Sequence, residues 1–484
     1  MLDYFNEDDA GNDQEGQNLD ETLHRFRESH RSGQWQNGLP SVEALETIVH
    51  FCLETQKFDD ALTFAHMWRE RAPYSADAWH KTGVALGSVG RWQDALEYYA
   101  KAAELDPVDI EISINRGIAL EQLGRLDDAS AIIERVLELE SDNADALFTK
   151  AMILEKRECY DDAKRLFTYL GKTETFSRDA LFELAYCHEA LEEYTEAIAV
   201  YDRVLAADPY DANAWFNRGV IQGKKGSPRL AIASYDMATV IKADFVNAWF
   251  NLGNALTSLG KIDESIDAFN HAHLADPTDV PVIHNLAASL EDRGFLDKAI
   301  EMFSKAIELD PSHIASLFGR GTCYDAKELY DRALADYDAA LDIDVTQGDV
   351  WYAKADALVA LKRYIEATSA YRMVLDIQPD DAECWFDLGN ALSAQSDNVG
   401  ALQAYAKCIE CEPTWAEGYY ATAKALCSAG KPQNAPPYLL KSFSLEATKM
   451  DDFEIDFPEI AGPLGMEYLR KSLLNPSLGD CNAV

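Results

Sequence analysis

The chain has 484 residues, 48% of them hydrophobic, with 84 acidic against 43 basic side chains and a net charge of −41. A field of that sign repels nucleic acid and anionic membrane, favours neutral or basic partners, and keeps an extended molecule in solution. No apolar stretch is long enough to span a bilayer, and nine scattered cysteines fit the reduced thiols of a cytoplasmic protein better than a disulfide framework.

Residues 1–41 open acidic, with Asp3, Glu7, Asp8, Asp9, Asp13 and Glu15 and no basic residue before Arg25. The start lacks the basic and apolar runs of a signal peptide. Leu19–Arg31 could form a short helix, and Gly33, Gly38 and Pro40 end it, so this segment is expected to be a flexible extension.

From Val42 a fixed period takes over. Stepping by 34 residues from Ser265 lands on Ala61, Ala95, Ala129, Ala163, Ala197, Ala231, Ala299, Ala333, Ala367, Ala401 and Ala435, without insertion or deletion. Such a period marks stacked supersecondary units. The register predicts twelve repeats over 42–449, beginning at Val42, Ala76, Ile110, Ala144, Arg178, Ala212, Val246, Val280, Ile314, Gly348, Ala382 and Ala416. Each repeat shows the apolar spacing of two helices, over positions 1–14 and roughly 18–30.

The punctuation has physical reasons. Position 15 is often glycine (Gly90, Gly124, Gly226, Gly260, Gly294, Gly430), suited to the left-handed residue after a helix. Position 18 is often aspartate (Asp127, Asp161, Asp263, Asp297, Asp331), expected to cap the second helix. Position 32 is often proline, as at Pro107 and Pro209, which stops that helix. Glycine or alanine at position 8, with alanine at position 20, lets antiparallel helices approach closely. Large residues at positions 4 and 24 fill the space alongside.

Departures are local. Repeat one has Val49 and Ala65 at positions 8 and 24, as a terminal cap would. Repeat four carries Leu170 to Ser177 in place of the proline turn, repeat eleven has Asn398 and Gly400 early in its second helix, and repeat twelve crowds Pro432, Pro436 and Pro437 there. The tail, 450–484, leaves the register, and LGMEYLRKSLL within it predicts one capping helix.

The pattern W-x-x-L-G-x-x-L, then A, F/Y, A and P, at a 34-residue period resembles the tetratricopeptide repeat. The resemblance covers most of the chain. It implies an all-α fold, a right-handed superhelical solenoid of antiparallel helix pairs whose first helices line a concave groove through positions 2, 5, 6, 9, 12 and 13. Position 5 is then a groove row: Phe148, Phe182, Phe216, Phe250, His284, Phe318, Tyr352, Phe386 and Tyr420. Position 6 supplies Asn115, Asn217, Asn251 and Asn285, and position 9 supplies Asn254 and Asn390.

An asparagine amide can both donate to and accept from a peptide backbone, and phenylalanine offers an unselective platform. The run Asn217, Asn251, Asn285 resembles the asparagine ladder in the superhelix of O-linked N-acetylglucosamine transferase, which holds extended peptides by their backbone. The same residues are also the commonest ones of the family. At position 2, acids line the first and last repeats (Glu43, Asp77, Glu111, Asp145, Asp179; Asp349, Glu383, Glu417) and the middle is uncharged. These acids also favour their own helix dipoles. Position 5 of repeats two to four, His80, Ile114 and Phe148, does not match the basic clamp that holds acidic chaperone tails.

Motifs for catalysis are weak. Cys408 and Cys411 form a lone CxxC inside a helix, His271 and His273 point to different faces, and no phosphate loop, nucleophile elbow or HExxH occurs. The expectation is a non-enzymatic scaffold without cofactor or metal, binding extended, neutral or basic polypeptide segments of other proteins. The alternatives are a self-associating structural solenoid and an accessory subunit of a larger complex.

Overall fold

The computed structural model describes residues 9–33, 35, 39–173 and 177–456. Its contacts divide into two units, Met1–Ile241 and Lys242–Val484. Among the described residues every regular element is helical.

In the first unit the helix Asp9–Ser32 precedes six pairs. Their first helices are Val42–Glu54, Ala76–Ser88, Ile110–Gln122, Ala144–Lys156, Ser177–Ala190 and Ala212–Lys224. Their second helices are Phe58–Arg71, Trp92–Leu105, Leu126–Leu139, Tyr160–Leu170, Tyr194–Ala207 and Pro228–Ile241. In the second unit the first helices are Val246–Ser258, Val280–Asp292, Ile314–Ala326, Gly348–Ala360, Ala382–Ala394 and Ala416–Ser428. The second helices there are Ile262–Ala275, Leu296–Leu309, Tyr330–Ile343, Tyr364–Ile377, Asn398–Cys411 and Pro436–Leu445. Within each unit consecutive helices pack on one another in chain order, the arrangement of an α-solenoid.

First helices start on the residues given by the register, except that the fifth begins one residue early, at Ser177. The position-34 residue explains the sharp start. Ser75, Asp109, Asn143, Asp211, Asp279 and Asp381 each accept a hydrogen bond from the backbone N–H three residues on, at 3.2 Å for Ser75 and 2.9 Å for Asp381. Each such cap stabilises by about 1 kcal/mol.

The expectation for position 18 is corrected. Second helices begin at position 17 except in repeat twelve, and outside repeat eleven no side-chain cap bond is seen at position 16, as at Arg125 and Leu329. Asp127 and Asp331 therefore sit in the first helical turn, where they act on the helix dipole instead. Position 15 behaves as expected, with φ between 72° and 80° at Gly90, Gly124, Gly226, Gly260, Gly294 and Gly430. Six non-glycine residues at the same position, Gln56, Glu158, Glu192, Glu328, Lys362 and Ser396, adopt the same left-handed backbone.

The register alanines are the seams of the core. Those from Ala61 to Ala401 are at most 1% exposed, and Ser265 is fully buried with its hydroxyl donating to the Ile262 carbonyl at 2.9 Å. Position 24 stands directly over position 8. A Cβ on Gly219 or Gly253 would lie 2.6 Å from the ring of Tyr235 or Phe269, and on Gly321 or Gly389 2.4 Å from Tyr337 or Tyr405. The position-4 tryptophans tie each first helix to the turn before it. Trp79, Trp215 and Trp385 donate from the indole N–H to the carbonyls of Pro73, Pro209 and Pro379 at 2.9, 3.0 and 2.8 Å.

The ends differ from the sequence expectation. The N-terminal segment is helical over Asp9–Ser32 because it has an apolar face to bury. Leu23 is 1% exposed, Phe26 meets Phe64 edge-on at 5.7 Å, and Arg27 donates to Asp60 at 2.8 Å. In repeat four the second helix stops early, at Leu170, and residues 174–176 lie outside the described residues. In repeat eleven Asp397 caps the helix through the Gly400 N–H at 3.0 Å, and a Cβ on Gly400 would fall 2.5 Å from that carboxylate. In repeat twelve a 3₁₀ turn, Pro432–Asn434, precedes the helix Pro436–Leu445.

After the last pair, the helix Lys449–Asp456 packs on that pair, with Phe453 buried among Tyr420, Leu439 and Phe443. Asp456 accepts from Tyr420 (2.8 Å) and Lys424 (2.7 Å), and Lys449 pairs with Glu417. These are positions 5, 9 and 2. The stretch LGMEYLRKSLL lies outside the described residues.

Candidate functional site

From Phe148 to Phe386 the position-5 side chains are half-buried, and each leans on the position-24 ring of its own repeat, whereas Tyr420 is buried. Centroid separations run from 5.4 Å for Phe182–Tyr201 to 6.0 Å for Phe318–Tyr337, with Phe250–Phe269 at 5.9 Å and Phe386–Tyr405 at 5.9 Å. Phe148, Phe216, His284 and Tyr352 make the same contact with Phe167, Tyr235, Phe303 and Tyr371. One face of each ring is thus scaffold, and only the remainder can meet a ligand. Desolvation drives the His284 imidazole down to about 4, so this ring is neutral near pH 7.

The asparagines divide between the units. In the first, Asn115 contacts His80 Nε2 at 2.8 Å and Asn217 lies beside the Tyr201 side chain. In the second, the Asn285 amide donates to Asn254 Oδ1 at 3.1 Å, joining two adjacent first helices on an exposed face, with Asn251 on the same helix as Asn254. Asn390 accepts from the Tyr405 hydroxyl at 2.9 Å.

The carboxylates of this face escaped the sequence reading, which looked for acids at position 2. In the second unit, Glu291 and Asp325 stand at position 12, Asp356 at position 9 and Asp387 at position 6, on four successive first helices. The first three of these helices contact one another directly, Val280–Asp292 with Ile314–Ala326 and that helix with Gly348–Ala360. Thr322 donates to Glu291 at 2.6 Å, Tyr371 to Asp356 at 2.5 Å, and Tyr352 to Asp387. Burial raises the carboxyl groups of Glu291, Asp325 and Asp387 above the usual range. Asp356 is exposed to solvent, with Tyr371 and other acidic groups around it. Desolvation, outweighing its bond from Tyr371 and reinforced by the charges of Asp387, Asp325 and Glu383, pushes it up to about 6.

A second pattern accompanies them. In the first unit Lys156 pairs with Glu121 at 2.5 Å and Lys224 pairs with Glu189, each a position-13 lysine on the position-12 acid of the preceding repeat. After Glu155, Glu291 and Asp325 the corresponding residue is alanine: Ala190, Ala326 and Ala360. With alanine there, Glu155 is pushed up to about 7 by burial and by the charges of Glu183 and Glu121, which outweigh the opposing charge of Lys156. The signal was present in the sequence as lysine or alanine at position 13 of the repeat that follows each position-12 acid.

Metal or thiol chemistry finds little footing. Among the described residues, only Glu46, His50 and Asp77 bring metal-ligating atoms close together, with Glu46 exposed and the other two half-buried. The described cysteines are free, and burial raises Cys408 to about 12, far from a reactive thiolate. His271 stacks on Trp249 at 4.4 Å, whereas His273 faces Lys305 at 2.9 Å. No described helix is long and apolar enough to cross a membrane.

Tetratricopeptide-repeat family models match residues 88–153, 148–212, 246–279, 284–346 and 351–414, together more than half of the chain, with 246–279 matched as one repeat. The chain belongs to the tetratricopeptide repeat family. No curated protein matches it significantly. Among solved structures, it is similar to YrrB, described as a TPR protein with an unusual peptide-binding site, at 25% identity, TM-score 0.35, over 38% of this chain and 94% of that one. It is also similar to a chain of the APC/C hetero-tetramer Cut9–Hcn1, at 14% identity, TM-score 0.39, over 90% and 97%. A third is the C-terminal part of a TPR repeat-containing protein from Cytophaga hutchinsonii, at 17% identity, TM-score 0.44, over 50% and 98%.

Proposed function

We propose that this protein is a non-enzymatic scaffold that holds extended, neutral or basic polypeptide segments across the exposed face of its first helices. The observation that carries the reading is the Asn285–Asn254 bond on that face, with Asn251 beside it. Side-chain amides at this spacing can exchange hydrogen bonds with a peptide backbone irrespective of its sequence. The net charge of −41 supplies the discrimination against acidic segments. A reducing cytoplasm suits the free thiols.

The test is fluorescence anisotropy of short, unstructured, labelled peptides of acidic, neutral and basic composition against the whole chain. Neutral and basic peptides should bind, and the triple substitution Asn251→Ala, Asn254→Ala, Asn285→Ala should weaken them about tenfold, one lost backbone bond or more. The reading fails if no class of peptide binds, or if the triple variant binds them all unchanged.

A further inference from the structure

We infer that Glu291, Asp325, Asp356 and Asp387 form a row of subsites for the lysine or arginine side chains of an extended partner polypeptide, with the Tyr337 hydroxyl at its buried edge. The inference rests on the first-helix face being the peptide-binding surface, and adds which side chains that surface selects.

Three observations lead to it. The first is that these carboxylates lack a cation of their own. Among the described residues, no lysine or arginine forms an ion pair with any of the four, although basic residues stand on the same helices. Arg320 is spent on Asp336 at 2.7 Å, Lys354 on Asp338 at 2.5 Å, and Lys327 on Asp297. Partly desolvated carboxylates left without a counter-charge are costly, and a cation delivered by a partner would offset that cost.

The second observation is Tyr337. It is fully buried, and its hydroxyl has no hydrogen-bond partner among the described residues. The equivalent hydroxyls one and two repeats on are satisfied at position 9, Tyr371 by Asp356 and Tyr405 by Asn390. At Tyr337 the position-9 residue is Thr322, which is bonded to Glu291 and to the Gly319 carbonyl at 2.9 Å. Packing does not require this hydroxyl, since Phe269 and Phe303 fill position 24 in the two preceding repeats. Asp325, Glu291, Asp336 and Asp356 are the charged groups around it, and the equivalent hydroxyls of Tyr371 and Tyr405 reach position 9 of their own first helices, the face that carries the row. A buried hydroxyl left unpaired costs about 1–3 kcal/mol. That cost disappears if a bound cation draws the Asp325 carboxylate within reach of the hydroxyl.

The third observation decides between kinds of cation. The ligand atoms of the four carboxylates are not gathered closely enough to share a metal ion; among the described residues only Glu46, His50 and Asp77 are. Single carboxylates distributed over four successive helices instead match charges spaced along an extended chain.

The probe is a labelled glycine–serine peptide with lysine at every third position, compared with the same peptide carrying glutamine, both titrated into the full chain. The lysine peptide should bind about tenfold tighter, and the difference should shrink as salt rises. Asp325→Asn, Asp356→Asn and Asp387→Asn together should remove the preference while leaving glutamine-peptide binding in place. Tyr337→Phe should weaken only the lysine peptide, by about two- to tenfold, the value of one hydrogen bond. It should leave the melting temperature no lower, because phenylalanine already serves at this position.

Equal affinity for the two peptides overturns the inference while the peptide-binding function stands. So does a lysine preference that survives the three asparagine substitutions. If spermidine displaces the lysine peptide at equal concentration, the row is a free-polyamine site and the inference is again overturned. Failure of both peptides to bind removes the inference and the proposed function together.

Discussion

The two units are built from the same helix pairs and treat their acidic residues in opposite ways. In the first, the position-12 carboxylates Glu121 and Glu189 are answered by Lys156 and Lys224 from the next repeat. In the second, Glu291 and Asp325 occupy the same position and face Ala326 and Ala360. The difference teaches that the repeat itself does not determine the electrostatics of its exposed face. One residue per repeat, at a position that leaves the helix packing untouched, decides whether a carboxylate is part of the scaffold or is available to a partner.

The comparison breaks most visibly where a structural pair is opened. Lys156→Met should destabilise the first unit by about 2–3 kcal/mol, because it strands the nearly inaccessible Glu121 carboxylate without its cation. Lys354→Met in the second unit should cost under about 1 kcal/mol, since its partner Asp338 is exposed. Chemical denaturation followed by hydrogen exchange in each unit measures both, and equal losses would erase the contrast.

Glu155 is the first unit's exception, and pH reads it. Its folded-state carboxyl titrates at about 7, above the unfolded value, so its contribution to stability is full below the unfolded pKa and is lost as pH rises through about 7. The groups that face it are Glu183, Glu121, Lys156 and Cys187. Glu155→Gln keeps the neutral form at every pH. It should therefore stabilise the protein by about 1–2 kcal/mol at pH 8, after solvent screening is allowed for, and not at pH 4. Melting temperatures at the two pH values check this, and a gain of the same size at both would contradict it.

The smallest effect converts one unit into the other. Adding the missing lysines, Ala326→Lys with Ala360→Lys, should neutralise Glu291 and Asp325 from within. Lysine-peptide affinity should then fall about threefold, part of the way to the glutamine peptide because Asp356 and Asp387 stay uncompensated, with little change in stability. Anisotropy with the two peptides reports it, and an undiminished lysine preference would detach the position-13 rule from binding.

Much of the scaffold was legible before any coordinates. The position-20 alanines, the position-15 turn and the starts of the first helices all follow from short-range stereochemistry repeated at a fixed period, and each is where the register put it except the fifth first helix, which starts one residue early. Legibility ended where a residue's role depends on which neighbour reaches it. Asp127 was taken for a cap and lies one residue inside the first turn, because the helix begins at position 17. Asn251 and Asn285 suggested a ladder along position 6, yet Asn285 bonds Asn254 at position 9, one turn further along the neighbouring helix.

The sequence by itself determined the α-solenoid and its repeat boundaries, because periodic small residues, turns and breakers act within one or two repeats. Tertiary structure decided which carboxylates are neutralised. Glu121 and Glu291 are the same residue type at the same repeat position. It is the packing of one first helix on the next that makes position 13 of the following repeat, Lys156 in one case and Ala326 in the other, the residue that decides.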